Sequence, residues 1–129
     1  MASMIQIKNK MNHTEAIQEI IKVAPESKEE FQEVYKTKNS FMVINVFTKH
    51  IKNLIGKGDI KILLKSLNKM NELYKKGDQS LRDAIENVFI YSLDSLTFSC
   101  TNAYKNLIFS KIPKDLCRVY LKQVYKSGI

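Results

Sequence analysis

The side chains that could carry chemistry in this 129-residue chain are few and scattered. His13 and His50 are the only histidines, and Cys100 and Cys117 are the only cysteines. A zinc site needs clustered ligands, such as pairs one helical turn or a C-x-x-C step apart, and neither histidine has such a neighbour in sequence. Cys117, within D-L-C-R-V-Y, would need an adjacent base to act as a nucleophile; as a small buried thiol it needs none. Asp83, Glu86 and Asp94 share one segment. Asp83 and Glu86 stand a helical turn apart, as paired acid/base carboxylates would, but carboxylates on a helix surface are ordinarily solvated, paired or capping. The turn Gly56-Lys57-Gly58-Asp59 lacks the six-residue span and the Lys-Ser/Thr end of a phosphate loop. With no nucleophile–base pair, metal cluster or cofactor motif, the sequence predicts a protein that is not an enzyme and takes no cofactor.

What remains is charge. The net charge is +8, and it is unevenly placed. Residues 1–38 balance their lysines with Glu15, Glu19, Glu26, Glu29, Glu30 and Glu33, so the excess lies in residues 39–129. Lys57, Lys61, Lys65 and Lys69 recur at four-residue steps, with Lys49 and Lys52 shortly before them. On helices these six predict a positive strip, the candidate partner-binding surface. Two readings use it. The first is a protein interface with an acidic or apolar partner. The alternative is a nucleic-acid-binding accessory protein, with Tyr74 and Tyr91 as stacking surfaces. Against the alternative, the only arginines are Arg82 and Arg118, no polar recognition helix of the helix-turn-helix kind is present, and each tyrosine falls on or near an apolar stripe where core packing accounts for it. A solvated lysine-rich face is the plainest account of all.

The elements that position these residues are helical. Four glycines and two prolines leave few breaks, and 44% apolar residues suffice for one core. The clearest stretch is Gly56–Asp78, one helix between two copies of Lys-Gly-Asp. Each glycine is expected to end a helix in the left-handed conformation, and each aspartate to cap the next helix. Between them Ile60, Leu63, Leu64, Leu67, Met70 and Tyr74 make one apolar stripe. Upstream, residues 1–12 read as a flexible tail. A first helix runs from a Thr14 cap to Val23 and stops before Pro25, burying Ile17, Ile20 and Ile21. Ser27 and Glu30 suggest a capping box for a second helix to Thr37, which buries Phe31, Val34 and Tyr35. A third starts at Asn39 or Ser40 and buries Phe41, Val43, Ile44, Phe47, Ile51, Leu54 and Ile55. Downstream of Asp78 the stripe Leu81, Ala84, Ile85, Val88, Phe89, Leu93 and Leu96 covers a wide arc, which predicts a central helix. The pattern weakens through Thr97–Thr101. A sixth helix is expected from Asn102 with Tyr104, Leu107 and Ile108 facing inward. A last one follows Pro113 with Leu116, Val119, Tyr120 and Val124 inward, ending at Ser127-Gly128.

The fold class predicted is all-α: a single-domain antiparallel helical bundle of six to seven helices over residues 13–129, with a helical-repeat-like echo in the two Lys-Gly-Asp turns. From Phe47 to Leu96 the chain resembles a family of small all-helical bacterial proteins of unassigned function. Its shared marks here are G-K-G-D, L-L-K-S-L-N-K-M-N-E-L, K-K-G-D and Y-S-L-D-S-L. The resemblance implies an immunity-protein-like or antitoxin-like role, neutralising a toxin or effector by direct binding. The chain departs from the family where its fourth helix carries lysine in place of acid, so the implied target is acidic or bound through apolar contact. Two unpaired cysteines, no apolar leader in the first ten residues and no run long enough to span a bilayer predict a cytoplasmic protein with no membrane partner.

Overall fold

The computed structural model describes residues 10–37 and 39–126, with side chains described outside 33–38 and 126. Among these residues are eight α-helices and no strand, an all-α single-domain bundle. The helices are α1 (His13–Val23), α2 (Lys28–Thr37), α3 (Ser40–Lys57), α4 (Ile60–Lys76), α5 (Gln79–Ala84), α6 (Leu93–Leu96), α7 (Asn102–Lys111) and α8 (Lys114–Lys126). A 3-10 turn, Pro25–Ser27, precedes α2, and a π-helical turn, Ile85–Ile90, continues α5.

Side-chain caps set most of the starts. Asn39 accepts from the backbone N–H groups of Phe41 and Met42, Asp59 from Ile62, Asp78 from Leu81 and Thr101 from Tyr104, each satisfying an orphan donor of the first turn. Two expected caps fall elsewhere. Asn12, rather than Thr14, starts α1 in a reciprocal capping box with Glu15. Ser27 does not start a box with Glu30; its hydroxyl donates to the Ala24 carbonyl at 2.6 Å and closes the 3-10 turn instead. Gly58 ends α3 at φ 70, the left-handed conformation expected of it. Gly77 departs from that expectation, with φ −73 and ψ 155. Its role is close approach: a Cβ there would lie 2.5 Å from the Leu73 carbonyl oxygen and 2.8 Å from Leu81 Cδ2. Met11 pairs beside it, donating to the Lys76 carbonyl and accepting from the Asp78 N–H, both at 2.8 Å, so residues 10–12 are tied to the bundle. The rest of the expected tail, and the end at Ser127-Gly128, lie outside the described residues.

The core is one cluster. α3 is its axis, packed on α1, α2, α4, α5 and the π turn. Val43, Ile44, Phe47, Ile51, Leu54 and Ile55 of α3 are buried, as are Leu63, Leu67, Met70 and Tyr74 of α4 and Leu81, Ala84, Ile85, Phe89, Leu93 and Leu96 beyond it. Phe31 is buried as expected; Val34 and Tyr35 lie outside the described side chains. Phe41 and Leu107 are exposed instead of buried. Phe41 sits about 100° around α3 from the buried Ser40, since each helical residue turns the chain by that angle, and Val46 takes part in the core in its place. α8 docks on the π turn and on α4, with Leu116 buried and Val119, Tyr120 and Val124 partly so.

Candidate functional site

Of the six lysines of the expected strip, the structure turns Lys69 inward and leaves the other five at the surface. Lys49, Lys52, Lys57, Lys61 and Lys65 are exposed, and none forms an ion pair among the described residues. Lys49 and Lys52 border a cleft that also holds Glu26, Glu30 and His50, so acid tempers their field. Lys69 is a correction. Its side chain is only 13% exposed, and its Nζ bridges Glu19 of α1 at 2.9 Å and Glu72 of α4 at 2.8 Å. Burial opposes its charge, but the hydrogen bonds to Glu72 and Glu19 prevail and hold its pKa above the ordinary lysine value. In return, hydrogen bonds from Lys22 and Lys69 lower Glu19, and one from Lys69 lowers Glu72. Lys69 is therefore a clasp between α1 and α4.

A more organised surface lies where α8 meets the π turn. In that turn the Tyr91 N–H reaches back five residues to the Glu86 carbonyl at 3.3 Å, and the Ser92 hydroxyl donates to the Val88 carbonyl. The extra residue in the turn re-aims everything after it, which is why such turns often accompany functional sites. Here it leaves Tyr91 78% exposed beside an open cleft of about 590 Å³. Glu86, Asn87, Ile90 and Asp94 line one wall, and Tyr120, Gln123 and Val124 of α8 the other.

Hydrogen bonds fix both walls. The Tyr120 hydroxyl donates to Asp94 Oδ1 at 2.7 Å, the Tyr74 hydroxyl to Glu86 Oε2 at 2.5 Å, and Gln123 Nε2 to the Glu86 carbonyl at 2.9 Å. Burial first, then the bond to a carboxylate, pushes Tyr74 and Tyr120 up to about 12. Each carboxylate keeps acceptor lone pairs after taking one hydroxyl. The cleft is therefore an acidic, hydrogen-bond-accepting hollow with an aromatic edge, in a chain of net charge +8.

The site draws only in part on what the sequence singled out. Glu86 and Asp94 come together in it, but Asp83 does not line it; its Oδ1 accepts from Gln79 Nε2 at 2.7 Å. Tyr91, expected on a core stripe, is exposed, and so is Tyr125 at 76%. Tyr120 and Gln123 carried no signal as site residues, because their roles arise only when α8 docks. Among the described residues no three His, Cys, Asp or Glu side chains converge as a metal ion would require, and both cysteines are free and partly buried. Nor is any helix among them long and apolar enough to cross a membrane.

No curated protein and no solved structure matches the chain. Residues 17–126, from the middle of α1 to the end of α8, match the family described as Domain of unknown function (DUF7674), and the chain belongs to that family.

Proposed function

We propose that the protein is a non-enzymatic binding module that engages another protein at the cleft between the π turn and α8. The observation that carries this reading is Tyr91, a large aromatic side chain 78% exposed on a wall held by hydrogen bonds, next to Glu86 and Asp94. Exposed aromatics on rigid supports are the residues that dominate protein interfaces, and a ring of polar groups beside them sets register. The partner that suits this hollow presents an arginine or lysine next to an apolar residue. The resemblance read from the sequence supports a more specific role, an immunity- or antitoxin-like protein that neutralises a toxin by direct binding. An acidic cleft suits a basic toxin surface, which the lysine strip did not. The second reading, a nucleic-acid accessory role in the cytoplasm, draws on the five exposed lysines Lys49, Lys52, Lys57, Lys61 and Lys65.

The two readings separate in one pair of variants, measured against the partner recovered from the protein's own host. Tyr91→Ala is expected to weaken the complex roughly 30-fold, the effect of losing a central aromatic anchor, with helix content unchanged. Lys61→Glu with Lys65→Glu leaves it nearly as tight. The reverse ranking assigns the interface to the lysines and overturns the cleft.

A further inference from the structure

Arg82 and Arg118 are the only arginines in the chain, and the fold brings both into one cleft on the other side of α8 from the acidic one. Arg82 comes from α5 and Arg118 from α8. Lys75, in the last turn of α4, and Lys122, one turn beyond Arg118, join them around a hollow of about 370 Å³. Among the described residues, the one carboxylate lining it is Asp115. We propose that this cleft is an anion-binding site for a phosphoryl group, carried either by a small phosphate or diphosphate compound or by a nucleic-acid backbone.

Three observations support the assignment. Arg82 is held in place before any ligand arrives: one Nη1–H donates to the Tyr74 carbonyl at 2.8 Å, and the guanidinium lies 4.2 Å from the Tyr74 ring centroid. Its remaining N–H groups have no carboxylate partner among the described residues. A fork fixed on an aromatic face, with donors to spare, is the geometry that suits tetrahedral oxyanions. Asp115 does not satisfy the site either. It stands 3.8 Å from Arg118 and 3.9 Å from Lys75, well beyond a short charge-assisted hydrogen bond, so an oxyanion with better geometry outcompetes it. Finally, the cations come from three separate helices held in register: Tyr74, buried on α4, ties α4 to α5 and its π turn by stacking under Arg82 and bonding Glu86, and Gln123 of α8 donates to the Glu86 carbonyl. The site is thus part of the fold and not a loose run of surface charge. This inference goes beyond the protein-binding reading and does not depend on it.

The two arginines give the test an unusual clarity, since the side-chain Nε–H region of a proton–nitrogen correlation spectrum holds only two signals. The labelled protein is titrated at physiological ionic strength with inorganic pyrophosphate and, separately, with a single-stranded oligonucleotide. Both arginine signals are expected to shift together and saturate. Arg118→Gln is expected to weaken binding about tenfold, as the loss of a charged hydrogen bond does, whereas Lys65→Gln, which removes the same charge elsewhere, changes it less than about twofold. Asp115→Asn is expected to tighten it. Arg118 is exposed, so its variant keeps the fold. Saturation by pyrophosphate identifies a free phosphoryl compound as the natural source, and saturation by the oligonucleotide alone identifies a nucleic-acid backbone. If neither ligand moves both signals, or if Arg118→Gln and Lys65→Gln weaken binding equally, the site does not exist and only a general positive field remains.

Discussion

Tyr74 joins the two clefts. Its ring lies against Arg82 and its hydroxyl donates to Glu86, so a single side chain of α4 fixes a cation on one side of α8 and a carboxylate on the other. With Tyr120, its counterpart on Asp94, it makes the protein sensitive to alkali. Both phenols ionise at about 12 in the fold against 10.0 in the ordinary case, so the folded state holds their protons more tightly than the unfolded one. The stability they contribute is complete below pH 10.0 and is lost as pH rises from there through about 12. Denaturant midpoints measured along that range are expected to fall, and the fall to shrink in Tyr74→Phe.

Lys69 gives the matching test at acid pH. Glu19 and Glu72 are lowered below their ordinary 4.5, so their contribution is complete above that value and lost as pH falls below it. Lys69→Gln is expected to cost about 1–2 kcal/mol at neutral pH and to flatten that acid limb, while Lys61→Gln costs less than about 0.5 kcal/mol. Equal costs would mean that the α1–α4 clasp is ornamental. The clasp was not legible in the sequence. The four-residue spacing of Lys61, Lys65 and Lys69 is a local signal, whereas the partner that turns Lys69 inward, Glu19, lies on another helix.

At the scale of elements, the helices from Ser40 to Leu96 were largely legible, because caps and apolar stripes are local. Asn39, Asp59 and Asp78 cap as their types dictate, and the stripe of α4 faces the core. Two features were not. The π turn leaves the order of apolar residues intact, so the pattern Ile85, Phe89, Leu93 reads as plain α-helix even though the turn re-aims Tyr91. Gly77 looks like Gly58 in sequence, yet the two act by different physics. Gly58→Ala meets open space but keeps a left-handed backbone, and is expected to cost about 1 kcal/mol. Gly77→Ala keeps an ordinary backbone but drives a Cβ into the Leu73 carbonyl and Leu81, and is expected to cost about 1–3 kcal/mol. It is also expected to raise hydrogen exchange at the Met11 and Asp78 amides, which Gly58→Ala leaves protected. A Gly77→Ala variant as stable as the parent would contradict the close packing at this turn.

At the scale of the whole molecule, charge is sorted by the fold in a way that composition conceals. A net +8 suggested one basic face. Instead the last helix separates an acidic hollow, with Glu86 and Asp94, from a basic one, with Arg82 and Arg118. Neither hollow was legible, because each is assembled from α8 and segments some twenty or more residues away, and no local pattern reports how α8 docks. The central claim is that the acidic hollow and Tyr91 hold a protein partner. It is tested most directly by retention from the lysate of the protein's own host, with tagged wild-type and Tyr91→Ala protein compared after nuclease treatment at physiological salt. One stoichiometric protein is expected on the wild type, resistant to nuclease and salt, and absent from Tyr91→Ala. Retention that is equal on both proteins, or that disappears with nuclease, would contradict it.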